Sequence, residues 1–173
     1  MARWEDLLAR WARWPVMLAL AGVALAFPLF LFPRFMPLTG SAPAAALDIR
    51  VGGYSAAQVE ALLSAMTPAQ RRAAAWAHLT VDGVYPLIYG AWLALLLFRA
   101  WPERRFWLLA PLVVLADGLE NALLALLYAR YPQGVAALTP WAAKVTALKW
   151  ALIALSAGLI LGGGLRAWLA RQR

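Results

Sequence analysis

Four long apolar stretches constrain this chain more than any motif does. They cover about 15–32, 79–98, 106–128 and 140–165, and a helix needs about 20 apolar residues to cross a bilayer core. The first is bounded by Trp14 and Pro33-Arg34, and the second stops at Arg99. The fourth opens at Thr139-Pro140, which reads as an N-cap followed by proline at the first helical position. Of the residues, 64% are hydrophobic and 14% charged, whereas soluble domains sit near half and a quarter. The expected fold is therefore all-α integral membrane. It is a four-helix transmembrane bundle, one domain over residues 1–173, with short cap helices in an extracytoplasmic loop, 33–78. The first stretch and Ala42-Pro43-Ala44 together imitate a secretory leader. An apolar run of about 18 residues is long for a signal core, so it reads as an anchor.

The net charge of +8 is mostly a topology marker. Arg3, Arg10, Arg13, Arg99, Arg104, Arg105, Arg166, Arg171 and Arg173 fall in three short segments on one side. The other side spreads Arg34, Arg50, Arg71, Arg72, Arg130 and Lys144 over longer segments. By density both termini face the cytoplasm, and the membrane is expected to be the bacterial inner membrane. Trp11, Trp14, Trp101, Trp107 and Trp168 mark the inner interface, Trp76 and Trp141 the outer one. No basic patch coincides with a soluble domain, so no nucleic acid is expected as a partner.

The outer loop carries structure of its own. Ser55-x-x-Gln58 is a capping box, and Val59, Leu62, Leu63 and Met66 follow at helical spacing. Thr67-Pro68-x-Gln70 is a second cap whose helix is expected to lead into the second span. Before them, Leu47, Ile49 and Val51 alternate with Asp48 and Arg50, the pattern of a short extended piece. The cap either lies on the outer membrane surface or covers the bundle as a lid.

Polar residues interrupt the apolar runs at five places: Asp82, Asp117, Glu120, Asn121 and Lys149. Insertion of Asp or Lys at a helix centre costs about 2.5–3.5 kcal/mol, so such a set is either mutually paired or functional. Helical rise puts Asp117 near mid-bilayer, with the others roughly 3 to 10 Å nearer the outer face. They also share faces. Asp82, Tyr85 and Tyr89 form one stripe, extending back through His78 toward Arg71; Asp117, Glu120, Asn121 and Tyr128 form another. Thr146, Lys149, Ile153 and Ser156 form a third. Three carboxylates face one lysine, so either acids are protonated or Arg71 or His78 closes over the top. The simplest pairing is Lys149 with Asp117 or Glu120.

Several chemistries are excluded. With no cysteine there is no disulfide exchange, iron–sulfur cluster or zinc–thiolate site. A single histidine, His78, excludes bis-histidine haem and a di-iron bundle. No cofactor and no metal site is expected. Asp117-Gly118 starts like the aspartate motif of CDP-alcohol phosphotransferases, but the later residues of that motif are missing. A single divalent ion at Asp82, Asp117 and Glu120 would compete with Lys149. Neither a serine–histidine–acid set nor a phosphate-binding glycine loop is present.

The residues Leu47-Asp48-x-Arg50, Tyr54-Ser55, Arg71, Asp82-x-x-Tyr85-Pro86-x-x-Tyr89, Asp117-x-x-Glu120-Asn121 and Lys149 resemble an uncharacterised bacterial family of four-span membrane proteins. That resemblance covers 47–150 and implies no activity. The layout alone, one span, a long outer loop and three more spans, is similar to the emopamil-binding and sigma-2-receptor group. In that group a cavity with acidic residues binds sterol-like or cationic amphiphiles, and some members are isomerases. The first span here lacks the acidic residue of that group, and its histidine-plus-glutamate isomerase pattern is not reproduced.

Three functions follow as expectations. The leading one is binding of a lipid or small amphiphile, with proton transfer if there is chemistry. Asp117, Glu120 and Lys149 would be the polar core and the candidate catalytic residues. Asp82, Tyr85, Tyr89 and Asn121 would orient the head, with Arg71 and His78 at the mouth. The second is a non-catalytic subunit whose buried ion pairs fix helix register. The third is a proton- or ion-coupled carrier, which with four spans would need a homodimer.

Overall fold

The computed structural model describes residues 2–31, 34 and 46–172. The predicted end of the first span at Phe32, its Pro33 boundary, the Ala42-Pro43-Ala44 site and Arg173 lie outside the described residues. Among the described residues the structure is helical, with no strand.

The chain opens with α1 (Ala2–Trp11) and α2 (Trp14–Ala26), which continues as a π-helical turn, Phe27–Leu31. Arg13 is extended and Pro15 follows at the start of α2, so the two helices meet at a bend of 83°. Then come α3 (Ala56–Ser64), α4 (Pro68–Leu79), α5 (Val81–Ala100), a 3-10 turn (Arg105–Leu108), α6 (Leu109–Arg130) and α7 (Val135–Ala170). Both capping boxes form: Ser55 and Gln58 satisfy each other's backbone N–H, as do Thr67 and Gln70. Only Thr80 separates α4 from α5.

The sequence reading needs correcting at two ends. Residues 47–51 form turns rather than an extended piece; Gly53 N–H donates to Arg50 O at 2.8 Å and Arg50 N–H to Leu47 O at 3.2 Å. The last helix begins at Val135 rather than at Thr139-Pro140, and it runs to Ala170 instead of stopping near 165. Thr139 is thus an interior residue, and its Oγ1 is buried without a hydrogen-bond partner.

Helix α6 is the centre of the bundle and packs against α4, α5 and α7, while α2 packs on α5. The cap is fastened by an apolar core in which Leu47, Tyr54, Val59 and Leu63 meet Leu124, Leu127 and Ala142. Burial of each large side chain of this kind stabilises by about 1.5–3 kcal/mol. Helices approach most closely at glycines. A Cβ on Gly90 would collide with Val114 Cγ2, and one on Gly163 would lie 2.6 Å from Ala100 Cβ and 2.8 Å from its carbonyl oxygen.

The polarity of the bundle is inverted relative to a soluble protein. Leu87, Leu115, Leu119, Leu148 and Leu161 are exposed, whereas Asp117, Glu120, Asn121, Thr146, Lys149 and Ser156 are buried. Three helical stretches, Pro68–Ala100, Arg105–Arg130 and Val135–Ala170, are long and apolar enough to cross a membrane. The bent pair Trp4–Trp11 and Trp14–Phe30 makes a fourth if counted as one span.

Candidate functional site

Two prolines prepare the backbone of the site. Pro28 has no N–H for the carbonyl of Ala24, and Pro86 has none for that of Asp82. Side chains take both freed acceptors: Tyr85 Oη donates to Ala24 O at 3.1 Å, and Asn121 Nδ2 donates to Asp82 O at 3.1 Å. The first ties α2 to α5 and the second ties α5 to α6. Phe27 stacks on Tyr85 with ring centroids 4.3 Å apart, and Tyr89 tilts against Tyr85 at 5.1 Å.

The polar side chains form one connected network. Tyr89 Oη donates to Asp117 Oδ2 at 2.5 Å. The other oxygen of Asp117 accepts from Asn121 Nδ2 at 3.4 Å and lies 3.6 Å from Lys149 Nζ. Lys149 Nζ is also ion-paired with Glu120 Oε2, and Glu120 Oε1 accepts from the Thr146 hydroxyl. The one Thr146 hydroxyl proton faces two acceptors, Glu120 Oε1 and Ala142 O, so Tyr54 Oη is the donor in its 3.3 Å contact with Thr146. Burial pushes the Tyr54 phenol up to about 12, which keeps that proton in place.

His78 closes the network on the opposite side. Its Nδ1 lies 3.1 Å from Asn121 Oδ1 and 3.1 Å from Asp82 Oδ2. Both neighbours are acceptors, so Nδ1 carries the hydrogen, and this fixes the tautomer. The ring stacks on Tyr128 with centroids 5.6 Å apart and is only 9% exposed.

A cavity of about 450 Å³ opens beside the network. Its polar lining is Asp48, Asp82, Tyr85, Tyr89, Asp117, Asn121 and Lys149, and its apolar lining is Phe27, Pro28, Ile49, Trp92, Leu93, Trp150 and Ile153. Of the residues singled out from the sequence, Asp82, Tyr85, Tyr89, Asp117, Asn121 and Lys149 line it. Glu120 stands behind Lys149, fully buried and away from the cavity surface.

Two sequence expectations are corrected here. Arg71 is not at the mouth: its Nη1 donates to Leu63 O at 2.8 Å and Met66 O at 2.5 Å, and its guanidinium covers Tyr131 at 4.6 Å. It satisfies the Leu63 carbonyl in the last turn of α3, the usual task of a cation there, and the Met66 carbonyl in the turn that follows. His78 is not at the mouth either, being buried behind the cavity lining as a positioning residue for Asp82 and Asn121.

Asp48 is the residue that sequence reasoning missed. Its carbonyl accepts from Lys149 Nζ at 3.2 Å and from Trp150 Nε1 at 2.9 Å, and this latches the loop onto α7. Asp48 also lines the cavity, and its carboxyl is buried. Burial pushes that carboxyl above the ordinary value, with His78 and Lys149 pulling it down and Asp82 pushing it up. The alternation Asp48-x-Arg50 pointed to a strand face, and no side-chain pattern signals a carbonyl latch.

No group of three or more histidine or acidic residues suited to a metal ion occurs among the described residues. No protein-family model, curated relative or solved structure matches this chain.

Proposed function

We propose that this chain is an integral membrane protein of the bacterial inner membrane, a four-helix transmembrane bundle with cytoplasmic termini. Its cavity, in the outer half of the bilayer, binds a lipid or small amphiphile. The observation that carries this reading is the cavity itself. Its lining combines a connected set of hydrogen-bonding side chains with apolar and aromatic ones, the two kinds of surface that an amphiphile needs.

The polar lining favours one kind of head. Asp48, Asp82 and Asp117 line the cavity with a single ammonium, Lys149, which is already engaged by Glu120. Tyr89, Trp92 and Trp150 add aromatic side chains. Carboxylates and ring faces together suit a cation or a strong hydrogen-bond donor. The Tyr89–Asp117 hydrogen bond is the place where a proton would move to or from a bound head, with Lys149 and Asn121 holding the carboxylate still.

The test compares dodecylamine, dodecanol and dodecanoate, each below its micelle concentration, by their shift of the thermal unfolding midpoint in mild detergent. This reading expects the amine to stabilise most and the carboxylate not at all. Tyr89→Phe and Asp117→Asn should reduce the amine effect. Equal responses to all three would sink it.

A second reading has its own support: Glu120, the partner of Lys149, is fully buried and touches no cavity. A register-fixing ion pair in a non-catalytic subunit accounts for that pair. It gives no reason for a cavity beside it.

A further inference from the structure

The described surface at the inner end of the bundle carries an unpartnered apolar face on α1. Trp4, Leu7 and Trp11 lie at i, i+3 and i+7, on one side of the helix, and are 63%, 40% and 54% exposed. The rest of the helix is accounted for. Leu8 packs inward on the cluster of Ala12, Met17 and Leu95, and Glu5 pairs with Arg105 at 3.4 Å. Asp6, Ala9 and Arg10 are exposed away from the apolar face.

The orientation of α1 decides what covers that face. It meets α2 at 83°, so if α2 and its π-helical continuation run across a bilayer, α1 lies in the bilayer plane. The 13 residues of α2 and the 5 of its π-helical continuation reach about 25 Å, a little less than the roughly 30 Å hydrocarbon core. Arg10 and Arg13, both exposed, stand beside tryptophans, with Arg99 over the Trp14 ring at 4.6 Å. Tryptophan with arginine is the composition of a helix in the head-group layer.

We propose that α1 is a membrane-surface helix. It turns Trp4, Leu7 and Trp11 into the lipid and sets Arg10 and Arg13 against acidic head groups. The proposal rests on the membrane reading above but not on the cavity. A protein partner is disfavoured because the helix has only ten residues and adjoins a span, where lipid reaches it first.

The chain has no cysteine, so single-cysteine nitroxide labels report position cleanly. Full-length Leu7→Cys, Ala9→Cys and Leu119→Cys would be reconstituted in phosphatidylcholine vesicles with and without one quarter phosphatidylglycerol. Accessibility to oxygen would be compared with accessibility to a water-soluble nickel chelate. Leu119 is on the exposed face of α6 and reports insertion itself. The expected result is a severalfold higher oxygen-to-nickel ratio at 7 than at 9. Phosphatidylglycerol should move site 7 deeper, and the Arg10→Gln/Arg13→Gln variant should abolish that response. If site 119 is in hydrocarbon while site 7 matches site 9 in water, the proposal is overturned and the face belongs to a protein partner. A buried site 7 that ignores phosphatidylglycerol overturns the head-group recognition. A water-exposed site 119 overturns the membrane reading together with this one.

Discussion

Lys149 and Glu120 form an ion pair at the centre of the bundle, both out of solvent, on neighbouring helices α7 and α6. Removing one partner of such a pair leaves a buried charge and costs about 3–5 kcal/mol, whereas removing both with apolar replacements is often neutral. Lys149→Met should therefore lower the thermal midpoint in detergent sharply. Lys149→Met with Glu120→Gln should recover most of that loss. Equal loss in the single and double variants would mean that the pair is not coupled.

Asn121 ties three other residues of the network together. It donates to Asp82 O and Asp117 Oδ1 and accepts from His78 Nδ1. Asn121→Leu strips a partner from each of the three, so its cost should exceed the roughly 1–3 kcal/mol of one orphaned buried group. Chemical unfolding in detergent would measure it. A loss below 1 kcal/mol would show that water or another side chain replaces the amide.

Asp48 gives a pH prediction with a definite sign. Its folded carboxyl binds its proton more tightly than in the unfolded chain, where the ordinary value is 3.8. Folded protein therefore holds more protons, and this group's contribution to stability is lost as pH rises from 3.8 through its folded value. Asp48→Asn should remove that slope and be neutral or stabilising at pH 7. The carbonyl that latches the loop is unchanged by the substitution. Unfolding midpoints of both forms across acidic pH would decide it, and a strongly destabilised Asn variant would contradict it.

Two adjacent glycines should behave differently. A Cβ at Gly163 meets the Ala100 backbone carbonyl at 2.8 Å, while one at Gly162 comes no nearer than 3.9 Å to Trp101 Cζ2. Gly163→Ala should destabilise by about 1–3 kcal/mol through overpacking. Gly162→Ala should be neutral or gain up to about 1 kcal/mol from helix propensity. Thermal scans of the two variants side by side would show whether α7 crosses α5 at this point.

Much of this arrangement is legible in the residues because its causes are local. The Ser55–Gln58 and Thr67–Gln70 boxes act within three residues, and both form. Asp82, Tyr85 and Tyr89 share a face by helical spacing alone, and all three reach the cavity. What was not legible depends on backbone acceptors. Asp48 and Arg71 were misread because their partners are carbonyls, which every residue carries and no side-chain pattern marks. Thr139-Pro140 imitates a helix start, yet the helix already runs from Val135 through a proline inside it. The uses of Ala24 O and Asp82 O do have a sequence signal in retrospect, a proline four positions later.

The central claim is that the cavity beside Asp117 holds an amphiphile, and native mass spectrometry of the protein released from mild detergent tests it most directly. The account predicts a bound species on the wild-type chain that is lost in Ile153→Trp, which fills the cavity and leaves Lys149 and Glu120 themselves unsubstituted. A clean apo mass for the folded wild-type protein under every release condition would contradict it.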